Sequence, residues 1–572
     1  MPFGPRAQGG CGVTRRSLLH GLSAGIGAAA AQALAPGGAL AAVTCPNACR
    51  SMIGPDDDWI AGLPIIDAHC HVFNARDIPV VQFVTRVFLR HYARHMSAKN
   101  LRQLEREIRA FMGRKLKQTP GFEQERSLLE ARLAGEPVAA KAHPPQLPKF
   151  ARGSARSCFG KDVADRIAAL QNLVSIMTGF RFRIFETLAA TYALNLPDVG
   201  VALFTPALVD MDYWLGSVWD RQSGTALWDD ADGAPQTTPA QQVVLMEMIQ
   251  RLYPGQCHSF VSYCPWRQLD DERRNAALLP ALRRPTALDV VKDAILNRGF
   301  VGVKLYPPMG YRPIANAELP ASAFPPAAAG EPYAHRFGAA LDEALLTLYR
   351  FCASHDVPIM AHTAPSNAAG VYETPDGRSR SYAERAHPRY WERVLALPGL
   401  SGLRLNLAHF GAGVAGEPDA GWRAVIGQLM DRHPHVYADL AHYAEMVLDN
   451  FTGSGQHCQE AANVLDPLRR RFLRPPAGKV RAQRLLYGSD WSMLAKEFYY
   501  ADYLPVVAHM YRRKIHSVGA GARRNARAFL CGNAIRFLGL RKGERTRARL
   551  EAWYSRHALD ADLLARFDTV DA

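Results

Sequence analysis

The sequence predicts an α/β chain folded as a (β/α)8 TIM barrel, with a helical insertion after strand one and further helices at the C-terminus. Three observations carry that expectation. Short apolar, β-branched runs alternate with long helical patterns; there are eight such runs; and several of them end in a titratable residue. Alternation marks repeated βα units on a parallel sheet. Eight units fit a barrel better than an open sheet, and the C-terminal ends of barrel strands are where such enzymes keep their chemistry. With 572 residues, 48% hydrophobic and 21% charged, the chain lies near globular averages, which excludes a disordered, collagen-like or coiled-coil protein.

Residues 1–41 stand apart from the fold. Thr14-Arg15-Arg16-Ser17-Leu18-Leu19 precedes a small-residue apolar run, Gly21 to Ala35, and an Ala39-Leu40-Ala41 ending. A charged start, a mild apolar run and an A-x-A-like cleavage site resemble a twin-arginine signal peptide, which implies a periplasmic protein. An uncleaved membrane anchor is the lesser alternative, because Gly and Ala make a weak span. No other run reaches the ~18 apolar residues of a transmembrane helix. Residues 42–64 read as a linker. They hold Cys45-Pro-Asn-Ala-Cys49, the closely spaced pair among ten cysteines; a single C-x3-C fits a local disulfide or two free thiols better than zinc.

The barrel is expected over residues 65–540. Its strands are read at Ile65 to His71, Val199 to Thr205, Ser259 to Tyr263, Val301 to Tyr306, Val357 to His362, Leu403 to His409, Val436 to Asp439 and Leu485 to Asp490. Roughly 130 residues separate the first two, far more than one crossover helix requires. Residues 81–197 are therefore read as a mainly helical insertion. Leu101, Leu104, Ile108, Phe111 and Met112 form an apolar stripe there, Pro137 to Pro148 a loop, and Val163 to Leu194 helix again. Most of the formal charge of +15 gathers in this region, with 17 Lys or Arg against 7 Asp or Glu over residues 76–156. Arg86, Arg90, Arg94, Arg102, Arg106, Arg109, Arg114, Lys115 and Lys117 read as a solvated helix face, with contact to an anionic membrane or acidic partner as the alternative. Nucleic acid is not an expected partner, since no nucleic-acid module accompanies the charge; a homo-oligomer is compatible with the sequence. A Pro- and Ala-rich stretch, Pro307 to Pro332, follows strand four, where a loop would overhang the mouth. Asn525 to Leu540 and Thr546 to Phe567 read as helices outside the barrel, residues 541–572 forming a C-terminal helical tail.

In Ile65-Ile66-Asp67-Ala68-His69-Cys70-His71 a strand alternates faces, so His69 and His71 point the same way, inward, about 7 Å apart at Cα. Two neutral imidazoles so placed can converge on a cation. Alone, H-x-H fits core or surface histidines better. Other strand ends add Lys304 in Gly302-Val303-Lys304-Leu305, His362 in Met360-Ala361-His362-Thr363, His409 in Leu407-Ala408-His409-Phe410-Gly411, and Asp490 in Tyr487-Gly488-Ser489-Asp490-Trp491. His69, His71 and Asp490 suit a zinc-like ion with an open position for water, whose pKa such an ion lowers to roughly 7. Asp490 can also take that water's proton. An ammonium cannot ligate a cation, so Lys304 joins a two-metal site only as a carbamate; otherwise it holds a substrate carboxylate or is structural, the reading favoured here. Asp67 reads as a buried orienter, Arg404 as structural, and Cys70 as an inert thiol facing the helices. Trp214 and Trp266, after strands two and three, divide evenly between pocket lining and packing.

In the order H-x-H, Lys, His, His, Asp, these residues resemble the metal-dependent amidohydrolase superfamily. They look most like its amidohydrolase-related branch, which contains non-oxidative decarboxylases such as aminocarboxymuconate semialdehyde decarboxylase. The resemblance covers about residues 65 to 540, ending in Asn533-Ala534-Ile535-Arg536-Phe537-Leu538-Gly539-Leu540, which is similar to the branch's closing helix. It implies that His362 is a further metal ligand. It makes His409 either a second-metal ligand or, with one ion, a group that polarises the substrate or moves a proton. One divalent ion, Zn2+ foremost, is favoured over two, because Lys304-Leu305-Tyr306-Pro307 resembles the branch whose members commonly use one. The expected protein is an exported hydrolase that adds an activated water to an amide, ester or lactone of a small molecule. The alternative is a metal-dependent non-oxidative decarboxylase of a carboxylated substrate, in which His409 helps protonate carbon. A non-catalytic binding module would keep the barrel and lose ligands, and the intact set argues against it.

Overall fold

The computed structural model describes residues 63–80, 83, 106, 110–136, 173–195, 200–213, 237–324, 336–365, 369, 371–373, 379–412, 420–443, 481–495, 503–510 and 521–570. The export segment, Cys45, Cys49, Leu101, Leu104, Ile108, Trp214 and most of the basic insertion lie outside them.

A strand forms at each of the eight apolar runs: β1 (Ile65–Cys70), β2 (Val201–Pro206), β3 (Phe260–Ser262), β4 (Gly302–Leu305), β5 (Ile359–His362), β6 (Leu405–Ala408), β7 (Val436–Asp439) and β8 (Leu485–Leu486). One parallel ladder joins β1 to β2 and a second runs from β3 through β8 in chain order. Two isolated parallel bridges, Phe204 to Cys257 and Ala207 to Phe260, link β2 to the β3 side. At the other seam the Ala68 N–H donates to the Tyr487 carbonyl and the Ser489 N–H to the His69 carbonyl, each at 3.0 Å. This is a (β/α)8 barrel whose ladder is interrupted at two seams. Its strands are buried on both faces, as their continuous Val, Ile, Leu and Ala content requires when helices cover a parallel sheet. Gly302 opens β4 because a Cβ there would lie 2.3 Å from the Phe260 ring and 2.6 Å from the Pro358 carbonyl.

The base of the barrel is closed by the helix Asn533–Leu538, whose Phe537 stacks on Phe260 with ring centroids 6.3 Å apart. Arg404 is structural, as expected: it donates to the Arg536 carbonyl at 2.6 Å and pairs with Asp356. Trp266 resolves as packing. It is buried edge-on against Phe337 and Phe324. The described part of the Pro-rich stretch is fastened down as short 3-10 turns, with Asp342 accepting from the Asn316 and Ala317 amides and Arg385 donating to the Gly310 and Ala323 carbonyls.

Within the expected insertion, helix α1 (Phe122–Leu133) and helix α2 (Arg181–Asn195) are described. On α2 the residues Arg181, Phe185, Leu188 and Tyr192 are all buried. Their spacing of four, three and four places them on one stripe, three turns long. Arg181 is a fully buried hub, bonding Asp77 at 2.5 Å and 2.9 Å, Glu125 of α1 at 2.5 Å and Asn74 at 3.1 Å. Because both acids pair with it and further donors and acceptors complete the group, the buried guanidinium is compensated. It ties α1 and α2 to the segment that follows His71.

Candidate metal centre

His69, on β1, and His71, just past its end, both project inward, and Asp490 reaches them from the turn after β8. One ligating atom from each of His69, His71 and Asp490 lies within 4.8 Å of the others, and the same holds for His69, His409 and Asp439. His362, expected as a fourth ligand, stands outside both groups; its ring centroid is 4.6 Å from that of His409. Its Nε2 is buried and has no hydrogen-bond partner among the described residues. The structure therefore brings all five expected His and Asp side chains to one mouth, with three sharing one donor cluster.

The imidazoles are held in defined tautomers. His69 Nδ1 lies 2.9 Å from Asp439 Oδ2, His71 Nδ1 2.8 Å from the Ala207 carbonyl, and His409 Nδ1 3.0 Å from the Ala441 carbonyl. Each partner is an oxygen acceptor, so each Nδ1 carries the proton and each Nε2 presents a lone pair. Burial, helped by the Lys304 cation, pushes His69 down to about 3, and the same causes hold His71 well below its ordinary value. Burial, with His409 and Lys304 nearby, does likewise for His362. Neutral imidazoles are the form that ligates.

Asp439, the last residue of β7, was not singled out by sequence as functional, yet it organises the centre. Its Oδ2 accepts from His69 Nδ1 and, at 2.7 Å, from Asn406 Nδ2; its Oδ1 accepts from the His409 and Ala441 amides at 2.8 Å and 3.1 Å. Burial favours its neutral form, but His69, His409 and these bonds hold it well below the usual carboxylate range. The available signal was its place at the end of a strand run.

Backbone geometry at the mouth is specialised. Asp490 has φ 52° and ψ 47°, and His409 and Phe410 have φ 67° and 46°. Left-handed non-glycine residues cost about 1–3 kcal/mol each and persist where the surroundings enforce them. Here the Asp490 N–H is pinned on the His69 carbonyl at 2.7 Å. Gly488 makes that approach sterically feasible, since a Cβ there would sit 2.8 Å from His69 Cβ. Asp67, the expected orienter, accepts from the Ser489 amide (3.0 Å), Ser489 Oγ (2.6 Å) and Tyr192 (2.7 Å); burial pushes it up to about 6 against those bonds. Cys70 is a buried free thiol, pushed well up by burial and hence inert as a nucleophile.

Lys304, from β4, is buried. Its Nζ lies 2.8 Å from His69 Nε2 and 3.3 Å from Met360 Sδ, and no carboxylate among the described residues pairs with it. Burial pushes its ammonium down to about 8, with Asp439 and Asp490 opposing. The residues fit a zinc-like ion: two or three neutral nitrogens and a carboxylate oxygen, outer oxygen acceptors in place, and a buried His362 Nε2 lacking a partner.

A family model described as amidohydrolase matches residues 66–540. Similar solved structures include a TIM-barrel protein from Bordetella bronchiseptica, at 16% identity over 62% of this chain and 81% of that one, with a TM-score of 0.29. A 4-oxalomesaconate hydratase from Rhodopseudomonas palustris is 13% identical over 77% of this chain and 96% of its own, TM-score 0.33. An amidohydrolase from Burkholderia multivorans with bound zinc is 15% identical over 53% and 80%, TM-score 0.28. No curated protein matches the chain.

Proposed function

This chain belongs to the amidohydrolase family, an enzyme family that depends on metal, and from that premise we propose that it is an exported hydrolase using one divalent ion, zinc foremost, on an amide, ester or lactone. The observation that carries the reading is the tautomer lock: Nδ1 of His69, His71 and His409 is committed to an oxygen, leaving three Nε2 atoms directed to a mouth that Asp490 shares. His69, His71 and Asp490 would hold the ion, with His362 joining through its unpartnered Nε2. When bound, such an ion supplies Lewis acidity, polarising a carbonyl and making water a nucleophile near neutral pH. Asp490 accepts the proton of the attacking water. His409, whose Nε2 lone pair is free of the lock, takes up a proton released from that water and passes it to the leaving group.

Lys304 supports a second reading. A buried ammonium with no carboxylate paired among the described residues suits a carboxylated substrate, which is what a non-oxidative decarboxylase of the kind this site resembles would take. One experiment separates the two. The zinc-loaded protein is assayed on esters, lactones and aromatic acids while acid release and CO2 are followed. Acid without CO2 supports hydrolysis and CO2 the alternative; a protein that binds no divalent ion loses both readings. Export rests on Arg15-Arg16 ahead of a weak apolar run. Among the described residues no helix is long and apolar enough to cross a membrane. Replacing both arginines by lysine should keep the protein in the cytoplasm, and undiminished periplasmic accumulation would reject the route.

A further inference from the structure

Among the described residues, the helical insertion meets the support of the centre through Tyr192. Tyr192, on α2, donates its hydroxyl to Asp67 Oδ2 at 2.7 Å and lies 2.9 Å from the Tyr487 hydroxyl. The same Asp67 oxygen takes the Ser489 hydroxyl at 2.6 Å, and its other oxygen takes the Ser489 amide at 3.0 Å and the His69 amide at 3.3 Å. Ser489 directly precedes Asp490, and its amide together with that of Asp490 also bonds the His69 carbonyl. Asp67 thus clamps the backbone of one donor-bearing turn to the backbone of another, and Tyr192 supplies one of the donors that fix its carboxylate. Every member is buried, so an unmade bond is not replaced by solvent. Three turns earlier on the same stripe, Arg181 moors α2 to Asn74 and Asp77, just beyond His71. The helix is held at both ends against the segment that carries both histidines.

We propose that Tyr192 is a positioning residue of the metal centre: through Asp67 and Ser489 it sets the place of Asp490 relative to His69, making the insertion part of the site's support. The proposal rests on the reading of His69 and Asp490 as ligands. The test uses the full chain and its Tyr192→Phe variant, which keeps the ring packed on Phe204 and removes the hydroxyl alone. Zinc affinity is measured by competition with a chromogenic chelator, and the d–d absorption of the Co2+-substituted protein is recorded beside the thermal midpoint. Direct outer-sphere partners of a ligand are worth about 10–100-fold in affinity, and Tyr192 acts one step further out, so a loss of roughly 3- to 10-fold is expected, with an altered cobalt spectrum. Thr191→Val, which disturbs the same helix without touching Asp67, should leave both readouts at wild-type values. Ser489→Ala combined with Tyr192→Phe should cost less than the two singly, because both act through one carboxylate. Wild-type affinity and spectrum in Tyr192→Phe would overturn the proposal, as would an equal loss in Thr191→Val. If Tyr192→Phe does not fold, Asp67→Asn, which changes the carboxylate through which Tyr192 acts, takes its place, and an unchanged cobalt spectrum there overturns the proposal as well. Failure of the wild-type chain to bind Zn2+ or Co2+ would instead overturn the ligand assignment itself.

Discussion

Replacing Asp439 by Asn should convert His69 from a ligand into a donor. The amide has nearly the same shape but offers one acceptor where the carboxylate offers two. The Oδ1 side faces two backbone N–H groups, of His409 and Ala441, which have no alternative protonation. The Oδ2 side faces His69 Nδ1 and Asn406 Nδ2, both of which can adapt. The new NH2 therefore turns toward His69, whose proton moves to Nε2 as the Lys304 amine beside that atom gives up a proton or turns away, and toward Asn406, whose Oδ1, without a partner among the described residues, can accept after a flip. Because Asn406 adapts, the stability cost is set mainly by lost charge assistance, about 1–3 kcal/mol. Losing the Nε2 lone pair is more specific: the variant should bind zinc 10–100-fold more weakly, about 1.4–2.8 kcal/mol. Chelator competition measures the affinity and urea denaturation the stability. Affinity within twofold of wild type, with only the stability lowered, would refute the tautomer argument.

Gly488→Ala should lower zinc affinity about tenfold, because its Cβ would press on His69 at 2.8 Å and on Ala441 at 3.0 Å; equilibrium dialysis would show it, and an unchanged affinity would mean that the turn can yield. His409→Gln should reduce turnover far more than metal content if one ion is used; elemental analysis beside steady-state kinetics decides between that and a second-metal ligand. Burial pushes His258 down from 6.5 to about 4 while it bridges the Gly299 carbonyl and Tyr554. The unfolded chain therefore takes up a proton near pH 6.5 that the folded chain refuses until about 4, and stability should fall by about 3 kcal/mol across that window as pH drops. His258→Gln should lose that component, and a difference curve flat in pH would contradict it.

What the sequence disclosed follows from what is local in it. Strand runs, the H-x-H alternation and the titratable strand ends are properties of short segments, and β1 to β8 formed where those segments stand. The partners that tune the centre are not local. Asp439 is 370 residues from His69, Ser489 is 422 from Asp67, and Tyr192 is 125 from Asp67. Each is an ordinary residue type whose role appears only when the barrel closes. Trp266 shows the converse, since an aromatic residue placed after a strand is equally consistent with a pocket wall and a packed core; Phe324 and Phe337, distant in sequence, decided it.

Lys304 bears on the number of ions through a single lone pair. With Nδ1 of His69 protonated toward Asp439, its Nε2 has one pair of electrons, and the Lys304 ammonium donates to it at 2.8 Å. An ion taken up at His69 must displace that ammonium. Two outcomes remain for the amine: to stay a cation near the mouth, or to react with CO2 and bridge a second ion. The first leaves a positive group beside the place where a substrate carboxylate would lie. The second requires negative charge to be added beside Asp439 and Asp490, carboxylates that already help keep Lys304 protonated against its burial. Without a second ion to offset that added charge, the carboxylates already in place favour the cation. Zinc analysis of wild type and Lys304→Ala distinguishes the two, since one equivalent in both fits a cation, whereas two falling to one fits a bridge.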